Sequence, residues 1–181
     1  MASMKQPAQV TTLHQGPVFA VERLLFDHSG EPVIKDVVRH PGAVTVIALR
    51  DDGRLVLIRN QRVAVGQALL EFCAGKLEPG EDPEQSALRE LEEETGYSAA
   101  SITRLGRFYT SPGFADELMH VFLAESLTGV DRRLEPGEEI EVVIMELEQI
   151  KTAIRTGALV DGKSIAAFHL FCLAREAERV P

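Results

Sequence analysis

The run from Gly75 to Tyr97 constrains this chain more than any other, because a glycine-containing turn leads there into a short helix crowded with carboxylates. Asp82, Pro83 and Gln85 supply an N-cap, a proline at the first helical position and a capping box, so the helix begins near Pro83. Gly96 can take the left-handed conformation that closes a helix, which leaves about three to four turns. Leu88, Leu91 and Thr95 recur at helical spacing and form the inward stripe, while Glu90, Glu93 and Glu94 share another face. On a bare helix such like charges cost about 0.2–0.5 kcal/mol per pair, and acids near a C-terminus oppose the helix dipole. A bound cation reverses the sign. Ligation by carboxylate oxygens alone suits Mg²⁺ or Mn²⁺, which keep several waters and bind jointly to protein and substrate phosphate. Arg89 can reach Glu93 one turn on. Read by itself, the same run also suits a solvated acidic surface helix.

The whole stretch resembles the Nudix box, G-x5-E-x7-R-E-U-x-E-E-x-G-U with U a bulky apolar residue. Gly75, Glu81, Arg89, Glu90, Leu91, Glu93, Glu94, Gly96 and Tyr97 fill its positions in order. The resemblance implies hydrolysis of a nucleoside diphosphate linked to another group, with Mg²⁺ (or Mn²⁺ or another divalent ion) held by Glu90, Glu93 and Glu94. It also implies that the carbonyl of Ala74 completes a metal site. Glu93 counts with the catalytic groups as well as with the ligands; Gly75, Glu81, Arg89 and Gly96 shape the motif, Glu81 mainly by holding the turn.

With 181 residues and 45% hydrophobic content the chain can bury an ordinary core, and the length favours one catalytic domain. A formal net charge of −9 argues against nonspecific nucleic-acid binding, which needs clustered Lys and Arg. No run of about 18 apolar residues reads as a membrane span, and the N-terminus lacks a signal peptide's apolar core, so a cytoplasmic protein is expected. Cys73 and Cys172 read as packed, reduced thiols.

Residues 1–16 are polar and read as a loose tail. Residues 17–40 read as a β-hairpin with strands at Val18–Phe26 and Val33–Arg39, and residues 41–181 as the catalytic domain. Within that domain, short apolar runs rich in β-branched residues predict strands at 43–49, 55–60, 69–73, 102–109, 118–124 and 140–145. A helix from Leu147 stopped at Gly157 and another from Ser164 to about Glu178 complete the pattern. Strands mixed with one helix and then two helices fit an α+β or three-layer α/β/α sandwich; the fold implied by the box is a mixed sheet between helices.

Outside the box, Pro112 stands fifteen positions after Tyr97, the place where a proline marks the ADP-ribose pyrophosphatase subgroup. Residues 40–44, 61–62, 70–75, 111–117 and 160–167 resemble the same subgroup. The resemblance implies that Arg62 and Glu71 contact substrate, that Pro112, Gly113 and Phe114 lie at the substrate, and that two subunits share the site through exchanged N-terminal strands. Phe114 reads either as a substrate wall or as core. Many relatives carry a tyrosine beside this arginine and a proline in place of Cys73. The acidic run Glu135–Glu141 falls where the family carries a mobile loop with the catalytic base, and Glu138 is the first choice, Glu139 the second. The expected reaction converts ADP-ribose to AMP and ribose 5-phosphate. Two other readings stand beside it: a Nudix hydrolase of another sugar nucleotide or dinucleoside polyphosphate, and a catalytically silent ADP-ribose sensor.

Overall fold

A computed structural model describes residues 6–134 and 137–177. Glu135, the first five residues and the expected helix end at Glu178 lie outside the described residues. The described residues divide into two compact units, one of residues 6–42 and 109–118 and one of residues 43–108, 119–134 and 137–177.

The first unit is a three-stranded antiparallel sheet in the order β1 (Gln9–Gln15), β2 (Ala20–His28), β3 (Glu31–Arg39). The expected hairpin is β2–β3, turned through Ser29 and Gly30, both at positive φ (59° and 89°), as a two-residue hairpin loop requires. The loose tail is corrected over Gln9–Gln15, which forms β1 against β2. Its polar side chains carry no strand periodicity, and its backbone pairing alone makes it a strand. Leu24 is buried here, whereas Val10, Leu13, Phe19 and Ile34 are exposed. The segment 109–118 joins this unit through Val38 N–H donating to Phe114 O (2.8 Å) and Asp116 N–H donating to Val38 O (3.1 Å). Arg39 adds ion pairs with Asp116 (2.9 Å) and Glu22 (2.7 Å).

The second unit is a mixed seven-stranded sheet between helices. Its main path runs β10 (Ile140–Met145), β5 (Leu55–Arg62), β4 (Ala43–Leu49), β9 (Leu118–Gly129), β8 (Tyr97–Tyr109), with β6 (Gln67–Glu71) on β5 and β7 (Cys73–Lys76) on β4. β4 and β9 are parallel; β5 pairs antiparallel with β4, β6 and β10. Strand alternation sends Val44, Val46, Val56 and Ile58 to one side, where they meet Ala87 and Leu91 of the acidic helix. Ile47, Leu55, Leu57 and Phe72 face the other side, against α2 (Leu147–Thr156) and α3 (Gly162–Ala177). This is the expected α/β/α sandwich.

Two details of the second unit differ from expectation. One expected strand at 69–73 is two, because the chain leaves β5 and takes up β4 at Phe72, with no glycine or proline to mark the change. The acidic helix is α-helical only over α1 (Pro83–Glu90) and then widens into a π turn, Leu91–Thr95, ended by Gly96 at φ 72°. Asp82 caps α1 by accepting from Glu84 N–H at 2.9 Å. A reciprocal capping box stands instead at α2, between Glu146 and Gln149.

Candidate active site

The site is built where β7 enters the turn and the acidic helix folds back over it. The register His120–Val44–Gly75 places Gly75 beneath the helix, and a Cβ there would overlap the Glu90 carboxylate. Glycine lets the helix approach the strand at this point. Arg89 ties the turn to the helix. Its guanidinium grips Glu81 through Nε (3.0 Å) and Nη2 (3.1 Å), and its Nη1 donates to Glu90 (2.8 Å) and Glu93 (3.0 Å). Glu81 also accepts from Glu78 N–H at 3.0 Å, which closes the turn, and Arg89 holds its carboxyl down at about 2.

Glu94 is 3% exposed and accepts one hydrogen bond from Ala74 N–H at 2.9 Å. Burial pushes its pKa up to about 8, and the negative charges of Glu90 and Glu138 push the same way. Glu90 is raised too, first by burial, with Glu93 and Glu138 adding to it against the pull of Arg89. Glu90, Glu94 and Glu138 thus share one field. Glu138 reaches it because the chain after β9 is fastened to the helix end: Val130 N–H donates to Gly96 O (2.9 Å) and Arg133 N–H to Glu93 O (3.2 Å). Glu138 is half-buried, while Glu139 is exposed and offers its carbonyl to Gln61 N–H.

Among the described residues no three acidic, His or Cys side chains have closed into a ligand cluster. Arg89 engages Glu90 and Glu93, and Ala74 N–H engages Glu94. The donor set nevertheless fits a divalent ion: hard oxygens, a buried carboxylate whose charge burial resists, and a Gly75 cradle holding Glu90 against the strand.

Beside this field Arg62, at the end of β5, grips Glu71 through Nε (2.8 Å) and Nη2 (2.6 Å). Glu71 is fully buried, and its second partner is Lys163, which also pairs with Asp161 at 2.9 Å. Glu71 therefore presents no surface to a ligand. This corrects the expectation that it touches substrate itself; it holds Arg62, whose own side chain stays about one-third exposed. Pro112, Gly113 and Phe114 belong to the other unit, all exposed, with Phe114 at 59%, so the core reading of Phe114 falls away. Sequence reasoning assigned no role to Lys163, Asp161 or Ser164, although they lie in a stretch it singled out. Cys73 is buried with its thiol raised by burial, as packing requires.

A glycine turn, an arginine-latched acidic helix and a second acidic loop in one field, on a mixed sheet between helices, define a hydrolase of the Nudix type. The NUDIX domain family matches residues 39–168, and the chain belongs to that family. It is 44% identical over 141 residues to an ADP-ribose pyrophosphatase of Bacillus subtilis, which covers 77% of this chain and 76% of that protein. It is 38% identical over 141 residues to a methanol dehydrogenase activator of Bacillus methanolicus, with the same two coverages. A crystal structure of an ADP compounds hydrolase superposes with a TM-score of 0.85 at 23% identity over 99% of each chain, which shows the fold.

Proposed function

We propose that this protein hydrolyses the diphosphate of ADP-ribose to AMP and ribose 5-phosphate. The observation that carries the reading is Glu94, buried beside Glu90 within reach of the Glu138 charge, an arrangement that a divalent cation would stabilise. The similarity to an ADP-ribose pyrophosphatase supports the choice of substrate.

Glu90, Glu93, Glu94 and the Ala74 carbonyl would hold the ion, Mg²⁺ in the first instance. When bound it supplies charge stabilisation for the diphosphate oxygens. The chain's own residues do the rest. Glu138 accepts the proton of the attacking water, the new bond forms to phosphorus, and the bond from phosphorus to the bridging oxygen breaks. Arg62, held flat by Glu71, offers its remaining N–H groups to phosphate or its face to a base. Pro112, Gly113 and Phe114 enter the proposal as substrate contacts on the subgroup pattern alone.

A homodimer completes the reading. The three-stranded sheet leaves Val10, Leu13, Phe19 and Ile34 exposed, an apolar surface that a second copy of the same sheet would cover. Among the described residues no helix is long and apolar enough to cross a membrane. Two unpaired thiols fit a cytoplasmic setting.

The test is a side-by-side panel with Mg²⁺ of ADP-ribose, GDP-mannose and a dinucleoside polyphosphate. Highest kcat/KM on ADP-ribose is expected; a tenfold preference for either of the others would move the assignment to that substrate.

A further inference from the structure

The switch of pairing at Phe72, from β5 to β4, is where two layers of the sandwich touch chemically. Glu71, in register with Ile58, lies on the acidic-helix side of the sheet, whereas its neighbours Leu70 and Phe72 join the core under α2 and α3. Lys163 stands at the start of α3, whose residues Ala167, Phe168 and Phe171 pack in that opposite core. Its ammonium nevertheless ends on Glu71.

The start of α3 is itself firmly held. Asp161 accepts from Ser164 N–H (3.0 Å) and from the Ser164 hydroxyl (2.5 Å), and its carbonyl accepts from Ile165 N–H (3.1 Å). Ser164 Oγ in turn accepts from Phe72 N–H at 2.9 Å. That amide sits between the two strands, at the point where sheet pairing passes from β5 to β4, and a buried amide needs a partner. The helix start thus fixes the backbone at residue 72 through Ser164 and the side chain at residue 71 through Lys163.

The charges along this path alternate: Asp161, Lys163, Glu71, Arg62. Arg62 donates in a two-point fork to a carboxylate that has no exposure, so its plane is set by where Glu71 points. Removing Lys163 would leave Glu71 with one cationic partner and free to turn toward it. We infer that Lys163 is a positioning residue for substrate: through Glu71 it fixes the angle at which the Arg62 guanidinium meets the nucleotide. This rests on the reading of Arg62 as a substrate contact.

The inference predicts a split between kinetic constants. With ADP-ribose and Mg²⁺, Lys163→Met should raise KM on the order of tenfold while kcat stays within about threefold, because Lys163 acts on binding and touches no reacting atom. Lys163→Arg should restore most of the lost KM by keeping a cation against Glu71. A fall in kcat as large as the rise in KM, or no change in KM, would overturn the inference, since a merely structural role lowers the amount of active enzyme and leaves KM alone. Should Lys163→Met fail to fold, the pair Glu71→Gln/Lys163→Met removes both buried charges together and is compared with Glu71→Gln. Equal KM values are expected, and a pair worse by more than about threefold would show that Lys163 acts by another route. Arg62→Ala runs alongside. If it leaves KM unchanged, the substrate role of Arg62 fails; if it raises KM and Lys163→Met does not, only the Lys163 inference fails.

Discussion

Gly75 lies so close beneath Glu90 that a Cβ on the first would occupy the position of the carboxylate of the second. Gly75→Ala is therefore expected to push Glu90 away from the strand. Overpacking at a fixed contact costs about 1–3 kcal/mol, so the melting temperature should fall modestly. Activity should fall far more, on the order of a hundredfold, if Glu90 is a ligand as proposed and loses that place. A thermal melt and a kcat/KM measurement on the same preparation check both.

The buried Glu94 gives a pH dependence whose sign follows from linkage. Its pKa stands at about 8 in the folded protein against an ordinary carboxylate value of 4.5, so the folded state holds the proton more tightly. The stability it contributes is complete below about pH 4.5 and is lost as the pH rises to about 8. In chelator, the melting temperature attributable to this site should decline between pH 5 and 8, and Glu94→Gln should flatten that decline. Adding Mg²⁺ at pH 8 should raise the wild-type melting temperature and leave Glu94→Gln nearly unmoved. A wild-type profile matching that of Glu94→Gln would remove Glu94 as the titrating group.

Glu138 shares the field of Glu90 and Glu94, whereas Glu139 is exposed. Glu138→Gln should lower kcat by about 10² to 10⁴, the range for loss of a general base, with little change in KM. Glu139→Gln should stay near wild type. The reverse pattern would hand the base to Glu139.

The exposed apolar residues of the first unit lead to a mass prediction. Light scattering at micromolar concentration should give twice the chain mass, and Ile34→Glu together with Leu13→Glu should halve it. A monomeric wild type would refute the dimer.

Much of the fold was legible in the sequence because the signals were local. β4, β10 and α2 begin and end where apolar runs, turn glycines and a cap residue place them. The acidic helix was legible for the same reason, down to the Asp82 cap and the reach of Arg89 to Glu93. What escaped depends on pairing across distance. β1 is a strand only because β2 offers it a backbone edge, and its side chains carry no alternation to announce it. The π turn after Glu90 has no residue signature, since Leu91–Thr95 would read equally well as ordinary helix. Lys163 and Glu71 are separated by 92 positions, and their contact depends on a switch of strand pairing at Phe72 that no turn residue announces. Only the ion pair itself reveals why an arginine at the end of β5 should be held in one orientation.

The most direct test of the account is product analysis of ADP-ribose incubated with the purified protein and Mg²⁺, with Glu94→Gln beside it. AMP and ribose 5-phosphate from the wild type, with turnover lower by orders of magnitude in Glu94→Gln, is the predicted result. Binding of ADP-ribose without products from the wild type would contradict it and make the protein a sensor; equal turnover by both proteins would contradict the role given to the buried carboxylate.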